Sequence, residues 1–240
     1  MKDHPWTMNL IRTAALLVVI ATALVAAQVP VTQAPHHRVT FENSQLRILD
    51  VNLPAGAMSA EHRHDFDIAT VSMNAGTETR VQPSGQAWTT RKPRPLGDVA
   101  VTEYTGKPGS HRIENTGKTP YQLFAIENLR KSGWSTAKPA GGLATKLATE
   151  SRAFRVYDVH FPRETSQTSH THAVPTIVVL INGNVMSDGP DAQAKQLAPA
   201  PVGLKQLTQP GQWLLVPAGD THHMVRLNTG EARVVEFEIR

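Results

Sequence analysis

The sequence contains no cysteine among its 240 residues. This absence excludes disulfide bonds, thiolate nucleophiles and cysteine-ligated zinc or iron–sulfur centres. Aromatic residues make up only 5% of the chain, and the formal net charge of +4 comes from scattered lysines and arginines. Without a basic cluster, a nucleic-acid partner is not expected. The chain also lacks a G-x-S-x-G motif, a P-loop and a dinucleotide-binding fingerprint.

Long amphipathic helices are missing as well, because no extended 3.6-residue periodicity is found beyond the N-terminal segment. The 16 glycines and 17 prolines predict many turns. Between them lie short runs rich in β-branched and apolar residues, such as IATVSM, TIVVLI and ARVVEFEI. These features predict an all-β protein.

The N-terminal segment has the pattern of a secretory signal. Lys2 and Arg12 precede the apolar stretch TAALLVVIATALVA, and Val25 and Ala27 are the small residues expected before a cleavage point. A membrane span needs about 20 apolar residues, so an uncleaved anchor is the less favoured alternative. We therefore expect residues 1–27 to be a signal peptide, with no stable membrane span after processing and a periplasmic or secreted mature protein.

An internal repeat divides the rest of the chain. RILDVNLP begins at Arg47 and RVYDVHFP begins at Arg155, an offset of 108 residues (155 minus 47). Two similar halves are predicted, a first domain over 37–130 and a second over 150–240, joined by a linker over 131–149. Many short strands in each half predict two small β-barrels or sandwiches in tandem.

Histidines follow the same repeat. His62 and His64 align with His170 and His172 at that offset, and each H-x-H pair is followed some 50 residues later by another histidine after a glycine-containing turn. Residues i and i+2 of a strand point to one face, so each pair can offer two imidazoles to a metal ion. The predicted metal ligands are the six histidines His62, His64, His111, His170, His172 and His222.

These residues resemble the two motifs of the cupins, in particular of two-domain cupins. The first motif, G-x5-H-x-H-x3-4-E-x6-G, is matched by Gly56, His62, His64 and Gly76 except at its glutamate. In the second half, GQWLLVPAGDTHH matches the second motif from its glycine to His222. The resemblance implies two tandem double-stranded β-helix, or jelly-roll, barrels over nearly the whole mature chain.

The departures from the motif matter for chemistry. The glutamate position falls on Ile68 or Ala69 in the first half and on Thr176 or Ile177 in the second. We therefore expect three histidines and no carboxylate in each half. Three neutral imidazoles leave a divalent cation with its full charge and with open positions, which favours an anionic or chelating oxygen ligand.

Two functions remain open on the sequence. Three-histidine iron cupins that use oxygen are known in the family, so the chain is expected to be a metal-dependent dioxygenase acting on a small oxygen-rich molecule. The alternative is a non-catalytic envelope protein that binds a small molecule or metal at decayed sites.

The sequence does not distinguish Fe, Mn, Ni, Cu and Zn as the divalent metal ion. Sheet-edge pairing makes a homodimer plausible. His36 and His37, which follow the leader, are expected to be solvated.

Overall fold

A computed structural model describes residues 28–140, 146–161, 169–188, 206–227 and 230–240. The predicted signal peptide lies outside these residues, as does part of the predicted linker. The described part is built of short strands and one 3₁₀ turn, Val31–Gln33, which agrees with the predicted all-β class. Within it, no helix has the length and apolar character needed to cross a membrane.

The first half forms two five-stranded sheets. One sheet has the strand order β1-β4-β9-β6-β7 and the other has the order β2-β3-β10-β5-β8. The strands are β1 (Val29–Pro30), β2 (His37–Glu42), β3 (Leu46–Leu53), β4 (His62–His64), β5 (Asp67–Ser72), β6 (Thr79–Pro83), β7 (Thr89–Arg91), β8 (Val99–Thr102), β9 (Gly109–Asn115) and β10 (Tyr121–Asn128).

The second half repeats this plan with one five-stranded and one four-stranded sheet. Their strand orders are β11-β12-β19-β14-β17 and β13-β18-β15-β16. The strands are β11 (Lys146–Glu150), β12 (Phe154–Phe161), β13 (His170–Thr171), β14 (Thr176–Asn182), β15 (Val185–Asp188), β16 (Gln206–Leu207), β17 (Trp213–Val216), β18 (Thr221–Arg226) and β19 (Ala232–Ile239). Among the described strands, no sheet mixes strands from the two halves.

The apolar side chains of the described residues form three cores. One core fills the first barrel around Leu49 and Leu123, and another fills the second barrel around Leu180 and Val234. The third core joins the halves, with Phe124 and Ile126 among its members from the first half. Its second-half members include Phe154, Phe237 and Ile239.

The central strands β10 and β19 are buried on both faces as a result. In β19, alternate residues such as Val235 and Phe237 belong to the core between the halves, while Val234 belongs to the barrel core. Because side chains alternate along a strand, Glu236 and Glu238 share the barrel face with Val234. Polar side chains on this strand are therefore forced into the barrel interior.

Hydrogen bonds also cross between the halves. The Asn128 side-chain amide donates to the carbonyl oxygens of Ala153 and Arg240 at 3.0 and 2.9 Å. Arg152 donates two hydrogen bonds to the buried carboxylate of Asp67 at 2.8 and 3.0 Å. These contacts place each barrel against the other through its central sheet.

Candidate metal centres

In the first half, strand pairing brings the three predicted histidines together. His62 and His64 lie on one face of β4, and His111 lies directly opposite His62 on the neighbouring strand β9. One nitrogen from each ring lies within 4.8 Å of the others, which is the arrangement of a group that could hold a metal ion. His62 and His64 are buried, whereas His111 is partly exposed.

Hydrogen bonding and burial favour the neutral, metal-binding form of two of these rings. Nδ1 of His62 lies 2.9 Å from the carbonyl oxygen of Ala60 and must be the donor there, so Nε2 carries the lone pair. Burial, reinforced by the neighbouring His37, lowers the pKa of His62 to about 3. Burial likewise lowers the pKa of His111 to about 2, with smaller contributions from His62 and His64. Both rings are therefore neutral at physiological pH, as metal ligation requires.

Two further side chains pack against this first cluster. Tyr104 is stacked on His64, with ring centroids 4.9 Å apart and an interplanar angle of 11°. His37 packs on His62 with a centroid distance of 4.4 Å, and burial lowers its pKa to about 4. His37 is partly exposed, so the expectation that it is solvated holds only in part, while the neighbouring His36 is exposed as expected.

In the second half, four groups come together. His170 on β13 pairs with His222 on β18, and His172 follows β13. The carboxylate of Glu236 on β19 lies 3.5 Å from Nε2 of His170 and 3.2 Å from Nε2 of His172. All four side chains are buried and form a second group that could hold a metal ion.

The absence of a carboxylate, expected in both halves, is wrong for the second half. The motif position Thr176 indeed carries none, but β14 pairs with β19, where Val178 lies opposite Glu236. The neighbouring strand therefore supplies the carboxylate. In the run VVEFEI, two glutamates of equal parity interrupt an otherwise apolar strand. Because charged residues are almost never fully buried unless paired, this was a signal for the site in the sequence.

Strand register shows why the first half differs. Arg47 pairs with Glu127 across β3 and β10, just as Arg155 pairs with Glu238 across β12 and β19. Two residues earlier on the last strand of each half stand Ala125 and Glu236, respectively. The first half thus has alanine at the position of the second half's carboxylate, and its cluster keeps three histidines.

Each cluster has a similar outer partner. In the second half, Oε1 of Glu238 lies 2.9 Å from Nδ1 of His172, and Arg155 donates to Oε2 of the same carboxylate at 2.7 Å. In the first half, Arg47 donates to Oε2 of Glu127 at 2.6 Å, while Oε1 lies 3.9 Å from Nδ1 of His64. Glu238 is hydrogen-bonded to His172, and such a carboxylate fixes the ring and raises its basicity, whereas Glu127 lies beyond hydrogen-bond distance of His64.

The charges within the second cluster are coupled. Burial alone would lower the pKa of His172, but hydrogen bonds with Glu236 and Glu238 outweigh it and raise the pKa to about 9. Burial alone would raise the pKa of Glu236, but hydrogen bonds with His170 and His172 hold it well below its usual range. Burial lowers the pKa of His222 to about 4. The cluster therefore contains a carboxylate paired with an imidazolium, and a cation would replace that proton.

Buried nitrogens without hydrogen-bond partners show that both clusters fit a metal ion. Among the described residues, no partner is found for Nε2 of His62, for Nε2 of His64 or for either ring nitrogen of His222. A buried polar atom without a partner costs about 1–3 kcal/mol. A bound cation would give these nitrogens the partner they lack. The donor set of imidazoles with one carboxylate suits Zn, Cu, Fe, Ni or Mn rather than Ca or Mg.

The side chains of Asp67 and His160 lie outside both clusters. Asp67, which follows His64 by three residues, accepts hydrogen bonds from the backbone N–H groups of Tyr104 and Thr105 at 2.7 Å each. It therefore holds the loop that carries Tyr104 and is not a member of the metal group. His160 is exposed and interacts with Asp158.

Comparison with known proteins yields structural likenesses only. No protein-family model and no curated protein sequence matches the chain. AerE from Microcystis aeruginosa superposes with a TM-score of 0.61 at 14% identity, over 86% of this chain and 93% of that one. The nickel(II) complex of the bacterial pirin YhhW from Escherichia coli gives a TM-score of 0.58 at 15% identity, over 85% and 90%. A cupin 2 conserved barrel domain protein from Leptotrichia buccalis gives 0.51 at 11% identity, over 85% and 88%.

Proposed function

We propose that this chain, whose fold is that of the two-domain cupins, binds one divalent metal ion in each half and uses the first as a reactive centre. The observation that carries the proposal is the pair of histidine clusters, in which buried nitrogens of His62, His64 and His222 have no hydrogen-bond partner among the described residues. The nickel(II) bound to pirin YhhW, a structure of similar fold, supports the same interpretation.

The two centres differ in a way that suggests different roles. The second has three histidines and Glu236, all of them buried, which is typical of a closed site that stabilises the fold. The first has three histidines, and His111 is partly exposed. Its smaller donor set leaves coordination positions open for a ligand. We therefore infer a reactive centre in the first half and a non-catalytic binding role for the second.

For the first centre we infer a dioxygenase-type oxidoreductase that acts on a small oxygen-rich molecule. A metal at this centre would supply Lewis acidity and oxygen activation, with both atoms of O₂ entering the organic product. The protein contributes neutral imidazoles on two paired strands and an outer carboxylate, Glu127, held by Arg47. Because these groups are fixed by strand pairing, they are preorganised before a ligand arrives.

Oxygen uptake tests this function. Protein loaded separately with each of the five metals would be supplied with a panel of dicarboxylates, 1,3-diketones and catechols. We expect at least one combination to consume oxygen, His111→Ala to abolish the uptake, and His222→Ala to retain it. Metal-loaded protein without uptake on any member of the panel would favour the non-catalytic binding function for both halves. Uptake that survives in His111→Ala would overturn the assignment of the reactive centre.

Export is a separate part of the proposal. It rests on the basic leader and the apolar stretch of residues 13–26. N-terminal sequencing of protein from the native host tests it. A mature chain beginning at Gln28 is expected, whereas an intact N-terminus in the cytoplasmic fraction would contradict it.

A further inference from the structure

No hydrogen bond fixes the ring of His64 within the described part of the chain. Nδ1 of His62 donates to the carbonyl oxygen of Ala60, whereas neither ring nitrogen of His64 has a hydrogen-bond partner. The carboxylate oxygen Oε1 of Glu127 lies 3.9 Å from Nδ1 of His64, which is beyond hydrogen-bond distance. Metal-ligating histidines are usually oriented by a hydrogen bond at their second nitrogen. The orientation of the His64 ring must therefore come from packing.

Tyr104 supplies this packing. Its ring is nearly parallel to that of His64, at an interplanar angle of 11° and a centroid distance of 4.9 Å, within the range of offset stacking. His64 pairs with Gly109 across β4 and β9, and a Cβ atom at Gly109 would lie only 2.6 Å from Cε1 of Tyr104. The tyrosine ring thus occupies the space that a side chain opposite His64 would fill. Glycine at position 109 is what lets Tyr104 lie there.

Asp67 holds the backbone of Tyr104 in place. Strand β5 begins at Asp67, and the carboxylate of this residue accepts hydrogen bonds from the N–H groups of Tyr104 and Thr105 at 2.7 Å each. In return, the backbone N–H of Asp67 donates to the hydroxyl oxygen of Thr105 at 3.1 Å. These bonds tie the loop between β8 and β9 to the strand that follows His64. The position of the tyrosine ring therefore depends on Asp67.

Arg152 connects the second half to these contacts. Its guanidinium donates to both carboxylate oxygens of Asp67, at 2.8 and 3.0 Å, and to the carbonyl oxygen of Thr105 at 2.7 Å. The ring of Trp134 packs against it, with 4.6 Å between the guanidinium carbon and the ring centroid. The Asp67 side chain is fully buried, and a buried charge is strongly destabilised when its partner is removed. Arg152 therefore keeps Asp67 at the position where it holds the loop of Tyr104.

We propose that the stacking of Tyr104 positions the His64 ring for a metal ion, and that the second half controls this position through Arg152. A ring already held in its ligating orientation loses less conformational freedom when the metal binds, so the stacking raises metal affinity. The inference rests on the proposed function, because it requires a metal ion bound at the first cluster. It adds a positioning residue and a regulatory link, in which contacts of one half set the affinity of the centre in the other.

The zinc affinity of the first centre tests the stacking. Full-length protein with His170→Ala and His222→Ala is the background, and competition with a chromophoric chelator measures zinc at the remaining cluster. We expect Tyr104→Ala to weaken binding about 10-fold, the lower end for a group that orients a ligand. Tyr104→Phe keeps the ring and should bind as the background does, whereas Gly109→Ala should weaken binding because its methyl group displaces the ring.

Melting temperatures of the metal-free variants separate positioning from folding. A purely structural role of Tyr104 would lower the melting temperature of Tyr104→Ala and leave its zinc affinity equal to that of Tyr104→Phe. That result would overturn the proposal, as would background affinity in Gly109→Ala.

A double-mutant cycle tests the link between the halves. Arg152→Gln should weaken zinc binding about 10-fold where Tyr104 is present and cause no further loss in Tyr104→Ala, because the two residues act through one contact. Arg233→Gln is the matched control and should retain the affinity. Arg233 also crosses between the halves, where it donates to the carbonyl oxygens of Leu96 and Gly97 at 2.8 and 3.1 Å.

Two results would overturn the link while leaving the metal centre intact: additive losses in the cycle, or equal zinc affinities of Arg152→Gln and Arg233→Gln. A background protein that binds no zinc at the first cluster would instead overturn the proposed function, and this inference with it.

Discussion

The carboxylate of Glu236 lies 3.2 Å from Nε2 of His172 in the interior of the second barrel, and neither side chain is exposed to solvent. In the first barrel, the equivalent position on the last strand is Ala125. The two halves therefore share a fold and a three-histidine cluster but differ by one buried charge. This difference is the basis for assigning a closed centre to one half and an open centre to the other.

Replacing the carboxylate should weaken the second centre. In a His111→Ala background, Glu236→Gln is expected to lower zinc affinity by more than the 10–100-fold typical of an outer partner, because a ligand itself is lost (roughly 100-fold or more). Glu238→Gln, which alters the outer partner of His172, should fall within that range. Competition with a chromophoric chelator measures both variants. Wild-type affinity in Glu236→Gln would show that this carboxylate does not coordinate.

Installing a carboxylate should close the first centre. Ala125 is only 1% exposed, so Ala125→Glu is expected to destabilise the metal-free protein by burying a charge. Added zinc should then raise its melting temperature more than it raises that of the wild type, and cobalt-loaded protein should lose azide binding at this half. Ala125→Gln, with similar size and no charge, is the matched control. A zinc response equal in the two variants would contradict the equivalence of Ala125 and Glu236.

His37 should support the first centre, since its ring packs against that of His62. In a His222→Ala background, His37→Ala is expected to reduce zinc affinity about 10-fold, the lower end for a residue that positions a ligand. The exposed neighbour provides the control. His36 has a φ of 70°, so His36→Asn is used because asparagine tolerates this backbone conformation. Equal affinities in the two variants would leave His37 without a role at the site.

Asp67 should stabilise the protein in a pH-dependent manner. Hydrogen bonds with Arg152 and with the backbone of Thr105 and Tyr104 outweigh burial and lower the pKa of Asp67 below its ordinary value of 3.8. A carboxyl with a depressed folded-state pKa contributes stability above its unfolded-state pKa, and this contribution is lost as the pH falls through the folded-state pKa.

Asp67→Asn is therefore expected to lower the free energy of unfolding at neutral pH by about 1–3 kcal/mol, the cost of an impaired buried hydrogen-bond acceptor. Below pH about 4 the difference from the wild type should shrink, because the wild-type carboxyl becomes neutral as well. Urea unfolding at several pH values measures it. A difference that stays constant or grows in acid would contradict the assigned interactions of Asp67.

Much of the architecture could be predicted from local patterns that repeat. The offset between Arg47 and Arg155, together with the H-x-H pairs, predicted two all-β halves and the meeting of His62, His64 and His111. Strand parity and motif spacing suffice for this, because they depend on residues close in sequence or on a regular repeat. The positions of the domain boundaries stay a prediction.

Other features could not be predicted because they depend on register between distant strands. Strand β19 lies between the interior of the second barrel and the core that joins the two halves. Its register with β14 determines that Glu236 faces the barrel interior, where His172 lies. Its strand resembles an ordinary core strand apart from the two glutamates. In the same way, the packing of His37 on His62 follows from the pairing of β2 with β3, where His37 lies opposite the buried Val51.

The most direct test of the account is elemental analysis of the purified chain after reconstitution with each candidate metal. The wild type is expected to bind about two metal ions, since two clusters of imidazoles are present. The double variants His62→Ala/His111→Ala and His170→Ala/His222→Ala should each bind one ion, at the remaining cluster. A folded wild-type protein that retains no metal and cannot be reconstituted with any of them would contradict the central claim.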